Sequence, residues 1–215
     1  MRNYESVEQP LIYLITGGSA TVENFTEKKK EILRLVRTAV QAKISLIQIR
    51  EKQLSAGLLC ELASEVVQLT RAAETKLLVN DRADIALAAG AHGVHLASRS
   101  LSAGIIKRNF PKNFIVGASA HTIEKAVAAR RQGADFVTFS PIFASPGKAE
   151  PQGVEKLREV CEHLKAFPVI ALGGIDETNY TEVLSAGASG FAAIRFLNNE
   201  ENLRKLAADF SVQNW

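Results

Sequence analysis

Cysteine is nearly absent: Cys60 and Cys161 are the only two thiols in 215 residues. They lie far apart, each inside an apolar helical pattern, which excludes a disulfide framework and a zinc ribbon and favours a reducing compartment. Long hydrophobic runs are also missing, and none approaches the roughly 18 to 20 residues needed to span a bilayer. The opening stretch MRNYESVEQP carries Glu5 and Glu8 and lacks the basic-then-apolar order of a secretory signal, so the expected address is cytoplasmic. No block of one charge occurs. The 26 basic and 23 acidic residues leave a formal charge of +3, and Lys28 to Lys30 and Arg130-Arg131 fall in helix-like segments as solvated faces. Neither a nucleic-acid partner nor a membrane partner is expected. No linker or low-complexity stretch divides the chain, so residues 1–215 are expected to form one domain, with 1–10 as an N-terminal extension.

What is present is a regular alternation. The chain is 47% hydrophobic and 23% charged, enough to bury a sizeable core. Short apolar runs, mostly free of charge as strands covered on both faces should be, occur at Leu11 to Thr16, Ile44 to Ile49, Lys76 to Asn80, Gly93 to Leu96, Phe114 to Gly117, Phe136 to Phe143, Pro168 to Leu172 and Gly190 to Leu197. Segments of helical period follow them, starting near Thr26, Ser55, Ala83, Ser102, Thr122, Val154, Thr178 and Glu200. An open doubly wound sheet would alternate in the same way, but the GxGxxG turn after the first strand is missing. Eight strand-helix units in this length predict an α/β fold, a closed single-domain (β/α)8 TIM barrel.

In such a barrel the chemistry sits at the strand C-termini. Gln48, Arg50 and Lys52 alternate at the end of the second strand and project together, two cations and an amide suited to an anion. Lys148, after Ser145 and the flexible Gly147, would add a third cation, and such a cluster suits a diphosphate. The plainer alternative is a surface arrangement of Arg50 with Glu51 and a solvated loop lysine. Asn80 and Asp81 close the third strand; Asp81 suits either a divalent cation or the cap of the next helix. Gly173-Gly174 lets backbone approach a ligand, and a helix beginning near Thr178, with Gly190 and Arg195, would make the phosphate corner of the barrel. The other reading of the glycine pair is a tight turn. Ser119 and His121 suggest a nucleophile and base, but no orienting residue and no G-x-S-x-G elbow accompany them, which argues against a hydrolase. His121 alone would shuttle a proton or simply begin a helix. His92 and His95, three apart, point to opposite faces and make a poor metal pair.

Six motifs taken in order, QIREK (48–52), NDRADIAL (80–87), GVHL (93–96), SAHT (119–122), PIFASPGK (141–148) and GGI (173–175), make the chain similar to the thiamine-phosphate synthase family from Leu11 to about Leu197. The resemblance extends to a sister group of thiazole tautomerases that share the barrel. It implies a transferase of thiamine biosynthesis, coupling a hydroxymethylpyrimidine diphosphate to a thiazole phosphate with release of pyrophosphate. By the resemblance, Gln48, Arg50, Lys52, Asn80, Ser119 and Lys148 would hold the pyrimidine diphosphate, with Arg50, Lys52, Ser119 and Lys148 in the chemical step. Asp81 would hold Mg2+. Ser145, Gly147, Gly174, Ile194 and Arg195 stand where the family binds thiazole phosphate, and the loop from Phe143 to Pro151 would exclude water as a lid.

The chain departs from the family pattern at three places. The synthases read HLGQxD after the fourth strand, with a second magnesium-binding aspartate, and here Ser100 stands at that position. Their TxTK loop is Ser145-Pro146-Gly147-Lys148, and a serine of the eighth strand is Arg195. A tautomerase would rely on a histidine matching His121, and a third reading is a non-catalytic phosphate-binding barrel. Gln48, Lys52 and Lys148 favour the synthase, because a tautomerase has no diphosphate to neutralise. The apolar helices serve a monomer and a homo-oligomer equally.

Overall fold

Charge-free apolar runs pair in parallel because helices cover the sheet on its outer side, while a second apolar surface fills its inside. The computed structural model describes residues 9–145, 147 and 150–212. Among them, strands β1 (Leu11–Ile15), β2 (Leu46–Ile49), β3 (Lys76–Asn80), β4 (Gly93–Leu96), β5 (Ile115–Ala120), β6 (Phe136–Phe139), β7 (Val169–Leu172) and β8 (Gly190–Ala193) pair in sequence order. β8 pairs with β1 and closes the expected barrel. Each strand is followed by a helix: α1 (Phe25–Gln41), α2 (Ala56–Thr70), α3 (Ala83–Ala89), α4 (Ala103–Asn109), α5 (Ile123–Arg131), α6 (Gly153–His163), α7 (Tyr180–Ser185) and α8 (Glu200–Val212). Most of the expected N-terminal extension, residues 1–8, lies outside the described residues. Among those described, no helix is long and apolar enough to cross a membrane.

Strand alternation divides the apolar residues into two cores. Outward residues such as Leu14, Ile47, Val79, Val94, Val137, Ala171 and Phe191 pack with the helices. Inward ones, among them Tyr13, Ile15, Leu46, Leu78, Phe136, Ile170 and Ala192, fill the barrel. The inner set also carries polar residues: Gln48, His95 and Thr138 are all buried. Gly117 lies on the same inner surface, and a Cβ there would come within 2.4 Å of Phe136 and 2.8 Å of the His95 ring. Only glycine leaves room for both rings at that level.

Several element ends differ from the sequence expectation, each for a local reason. β5 runs past Gly117 to Ala120, because Ser119 and Ala120 register with Thr138 and Phe139 of β6. β6 stops at Phe139: Pro141 has no N–H for the ladder, although Ile142 and Phe143 still donate to the carbonyls of Leu172 and Gly173. β8 ends at Ala193, and Ile194 to Leu197 form a turn in which the Asn198 amide donates to the Ile194 and Ile15 carbonyls, both at 2.7 Å. Its apolar character comes from Phe196 and Leu197 being buried in that turn. α1 starts at Phe25, with Asn24 and not Thr26 at the cap position; the Asn24 side chain turns back to accept from Thr21 N at 2.7 Å. Ser55 and Thr122 do cap, accepting from Leu58 N and Lys125 N.

Candidate active site

The strand C-termini surround a cavity of about 740 Å³. Gln48, Arg50, Lys52, Asn80, Ser119, His121, Ser145, Gly147, Gly174, Ile194 and Arg195 all line it, so residues separated by up to 147 positions in sequence meet in one mouth. Lys148 falls outside the described residues, as do its neighbours Pro146 and Ala149. Arg50, Lys52 and Arg195 bring three positive charges to the lining, against the single carboxylate of Glu150 among the described residues. An anion is the ligand this balance favours.

Arg50 and Glu51 do not form a surface pair. Alternation sends them to opposite sides: Arg50 to the cavity, Glu51 to a buried position where its carboxylate accepts from Gly18 N at 3.1 Å and Ala20 N at 2.9 Å. Arg50 N donates to the buried Thr16 hydroxyl at 2.8 Å, and its guanidinium passes over Gly18. The loop after β1 is thus tied to the end of β2 on both sides. Gln48 donates one amide N–H to the Tyr13 hydroxyl at 2.9 Å, which leaves the amide oxygen and the second N–H for a ligand. Tyr13 is completely buried, and that desolvation holds its phenol well above the ordinary range, so it is a neutral partner.

Asp81 does not cap α3. The cap position is Arg82, whose side chain instead pairs with Asp84. Asp81 has left-handed backbone, φ +58°, and its Oδ1 accepts from Ala97 N at 2.8 Å and from the Ser100 hydroxyl. Asn80 donates to its Oδ2 at 2.9 Å. Asp81 therefore joins the end of β3 to the loop after β4, its carboxylate accepting from one backbone N–H, one amide and one hydroxyl. No cluster of three or more His, Cys, Asp or Glu side chains suited to a metal occurs among the described residues.

The phosphate corner is built differently from expectation. Gly173 and Gly174 have φ of +107° and +66°, and the space beside them is taken by the loop after β6. A Cβ on Gly173 would meet Pro141 at 2.8 Å, and one on Gly174 would meet the Ala144 carbonyl at 2.6 Å. The pair therefore seats that loop while still lining the cavity. α7 begins at Tyr180, not Thr178, and Asp176 already accepts from Thr178 N at 3.0 Å. The Asp176 carboxylate thus holds the turn just ahead of α7, through the N–H and hydroxyl of Thr178.

His121 has an orienting partner, a backbone carbonyl with no signature in sequence. Its Nδ1 lies 2.7 Å from the Ser140 carbonyl oxygen, which cannot donate, so Nδ1 carries a proton, and in the neutral tautomer Nε2 is the accepting nitrogen. Gln152 donates to the same carbonyl at 2.7 Å. His95, a poor metal ligand by its spacing from His92, has a different place in the site. It is 4% exposed, lines the floor of the cavity, and places Nε2 3.0 Å from the Ser119 hydroxyl. Burial depresses its pKa to about 4, with Arg50 adding to the effect and Asp81 opposing it. The signal available was parity, since His95 registers with Asn80 and Gly117 in the barrel, but register becomes visible only once strands are paired.

Fold and site together define a (β/α)8 barrel with a cationic, anion-receiving mouth at its strand C-termini. Residues 12–197 match the family model described as thiamine monophosphate synthase. A putative thiamine-phosphate synthase 2 of Aquifex aeolicus is 43% identical over 190 residues, covering 87% of this chain and 97% of that protein. A putative thiamine-phosphate synthase of Geobacter sulfurreducens is 40% identical over 181 residues, covering 83% and 84%. The solved structure of thiamine phosphate pyrophosphorylase from Pyrococcus furiosus superposes with a TM-score of 0.77 at 32% identity, over 93% of this chain and 96% of that one. The chain belongs to the thiamine monophosphate synthase family.

Proposed function

We propose that this protein is a thiamine-phosphate synthase, transferring the pyrimidinylmethyl group of hydroxymethylpyrimidine diphosphate, through its methylene carbon, to the ring nitrogen of thiazole phosphate. The observation that carries the reading is the charge of the cavity: Arg50, Lys52 and Arg195 against Glu150, with the hydroxyl of Ser119 and the amide of Asn80 beside them. Such a lining suits two phosphorylated substrates better than one. In the reaction the methylene C–O bond breaks and its electron pair leaves with pyrophosphate, while the thiazole nitrogen lone pair forms the new C–N bond. Arg50 and Lys52 stabilise charge growing on the departing diphosphate, and Ser119 donates a hydrogen bond to it. The free oxygen of Gln48 accepts from a donor on the pyrimidine. Arg195, with the backbone at Gly174 and Ile194, takes the thiazole phosphate, and Ser145 and Gly147 complete that side, while Lys148 is assigned to the pyrimidine diphosphate with Arg50 and Lys52. The loop from Phe143 to Pro151 keeps water from the cationic carbon.

Magnesium fits the donor set in one way only. Asp81 offers a single carboxylate with an adjacent hydroxyl from Ser100, all-oxygen and hard, but too few ligands for a cage made by protein alone. Such a site suits an ion shared with substrate phosphates. When bound there, Mg2+ would supply additional charge stabilisation of the leaving pyrophosphate. The reading places the protein in the cytoplasm, consistent with unpaired Cys60 and Cys161.

The deciding measurement is thiamine phosphate formation by purified protein given both phosphorylated substrates, with magnesium and then with a chelator. Product that requires magnesium is the expected outcome; no product from folded protein overturns the reading. One observation favours a second activity, a proton shift on a thiazole phosphate: the accepting Nε2 of His121, fixed by the Ser140 carbonyl. Under that reading His121→Asn abolishes turnover and Arg50→Ala leaves most of it, the reverse of the order expected for the synthase.

A further inference from the structure

The floor of the cavity contains an imidazole whose two nitrogens are treated unequally. His95 Nε2 lies 3.0 Å from Ser119 Oγ and 3.4 Å from Thr138 Oγ1. His95 Nδ1 is buried with no hydrogen-bond partner. It faces inward, against the bare α-carbon of Gly117 and beside the ring of Phe136, whose centroid is 5.9 Å from that of His95. Tyr13 closes the other side at 5.7 Å. No acceptor is available in that direction.

We infer that His95 is a positioning residue that turns the Ser119 hydroxyl proton into the cavity. The inference rests on the proposed role of the cavity as a diphosphate site. A proton on Nδ1 would bury an N–H donor without an acceptor, whereas a proton on Nε2 has two oxygens within reach. The neutral ring therefore carries its proton on Nε2 and donates to Ser119 Oγ. Once that oxygen accepts from His95, the hydroxyl's own proton must point elsewhere, and the open direction is the cavity that Ser119 lines. Donation from His95 also polarises the hydroxyl and makes it a stronger donor. Ser119 is thereby set as a hydrogen-bond donor to an anionic oxygen, with no rearrangement needed when the ligand arrives. A hydroxyl free to rotate would spend part of its time as an acceptor facing that same anion.

Two measurements test this without relying on turnover. Long-range nitrogen–proton correlation spectra of 15N-labelled protein at neutral pH, with His95 assigned by its loss in His95→Gln, are expected to show the proton on Nε2 and a bare Nδ1. A proton on Nδ1 overturns the inference. Calorimetric binding of inorganic pyrophosphate is then compared among wild type, Ser119→Ala, His95→Leu, the double variant and His95→Gln. Ser119→Ala and His95→Leu are each expected to weaken binding by about tenfold, and the double variant by no more than Ser119→Ala alone. His95→Gln, whose amide N–H can reach the same oxygen, is expected to recover most of the loss. Multiplicative losses in the double variant, or wild type that does not bind pyrophosphate, overturn it. If His95→Leu does not fold, the nitrogen spectrum and the glutamine variant still decide. The synthase assay is separate: a protein making no thiamine phosphate but showing an Nε2 proton and non-additive losses overturns the synthase reading and leaves the Ser119 orientation standing.

Discussion

The Ser100 hydroxyl donates to Oδ1 of Asp81, across the gap between the loop after β4 and the end of β3. Ser100 is the position at which the resembling synthases carry a second aspartate, and here it holds the first one by a neutral hydrogen bond. Among the described residues of that loop and strand end, Asp81 is then the carboxylate left to meet a cation. Replacing Ser100 by Asp puts two carboxylates side by side, which repel each other until a divalent ion is present. The expected result for Ser100→Asp is a lower melting temperature without metal and a magnesium dissociation constant, in the presence of pyrophosphate, reduced on the order of tenfold. Magnesium titration followed by thermal unfolding reads both effects, and an unchanged dissociation constant counts against a cation at Asp81.

Arg50 and Arg195 both line the cavity, from just beyond the ends of β2 and β8, the two strands that flank β1. Separate anion subsites predict separate defects. Arg50→Ala is expected to raise the KM for the pyrimidine diphosphate by roughly tenfold to a hundredfold, the range of one lost hydrogen bond to a charged group. Arg195→Ala is expected to do the same for the thiazole phosphate and to change the pyrimidine KM little. Steady-state kinetics with each substrate varied in turn separates them. Equal effects of both variants on both substrates would mean a single shared anion site.

The barrel was legible because eight apolar runs are mostly free of charge, each followed by a helical period, and the strands pair in sequence order. Most of the site was legible for a related reason: polar residues at strand C-termini are conspicuous, and Gln48, Arg50, Lys52, Asn80 and Ser119 do share one cavity. What stayed hidden depends on contacts between distant segments. Glu51, next to Arg50 in sequence, is buried because two backbone N–H groups of the β1–α1 loop need it, and nothing local announces that loop's path. His95 and His121 take their meaning from Ser119 and from the Ser140 carbonyl, partners on neighbouring strands or just beyond them. The apolar runs after β6 and β8 were overlong because a buried turn and a buried strand have the same composition.

His95 also predicts how stability responds to acid. Its folded pKa of about 4 lies below the ordinary 6.5 because burial disfavours the imidazolium. The depressed value makes the neutral form the stabilising one: the contribution is complete above pH 6.5 and is lost progressively as pH falls toward 4. Over that window the loss amounts to roughly 3 kcal/mol. A cation near Asp81 would depress the value further and leaves the sign unchanged. Urea denaturation at intervals between pH 7 and 4 is expected to show wild type losing stability more steeply than His95→Gln. Parallel curves would mean that His95 does not stay neutral through this range.

Gly174 links the fold to the mouth through its backbone. At φ +66°, with the Ala144 carbonyl 2.6 Å and Phe143 Cβ 2.7 Å from where a Cβ would stand, Gly174→Ala must push the loop after β6 away. The expected cost is about 2 kcal/mol or more of stability, from the unfavourable backbone and the displaced contacts together. The KM for the thiazole phosphate should rise as well, since Gly174 and Ser145 line the same cavity. Denaturation and kinetics on the one variant check both, and a stable protein with unaltered KM would show that the loop relaxes without consequence.

Glu51 provides the corresponding test on the other side of the barrel. Glu51 is 3% exposed and its carboxylate accepts from Gly18 N and Ala20 N, so this side chain holds two N–H groups of the loop that passes under the Arg50 guanidinium. Glu51→Gln keeps the shape but turns a donor toward one of the two N–H groups, and Glu51→Ala leaves both without their acceptor. Leaving buried donors unpaired costs about 1 to 3 kcal/mol each. Glu51→Ala is therefore expected to lose more stability in urea than Glu51→Gln, and both to raise the KM for the pyrimidine diphosphate through Arg50, although Glu51 itself faces away from the cavity. An Arg50→Ala background should remove that kinetic effect while leaving the stability loss intact. Persistence of the KM change in that background would show that Glu51 acts on the site by a route other than Arg50.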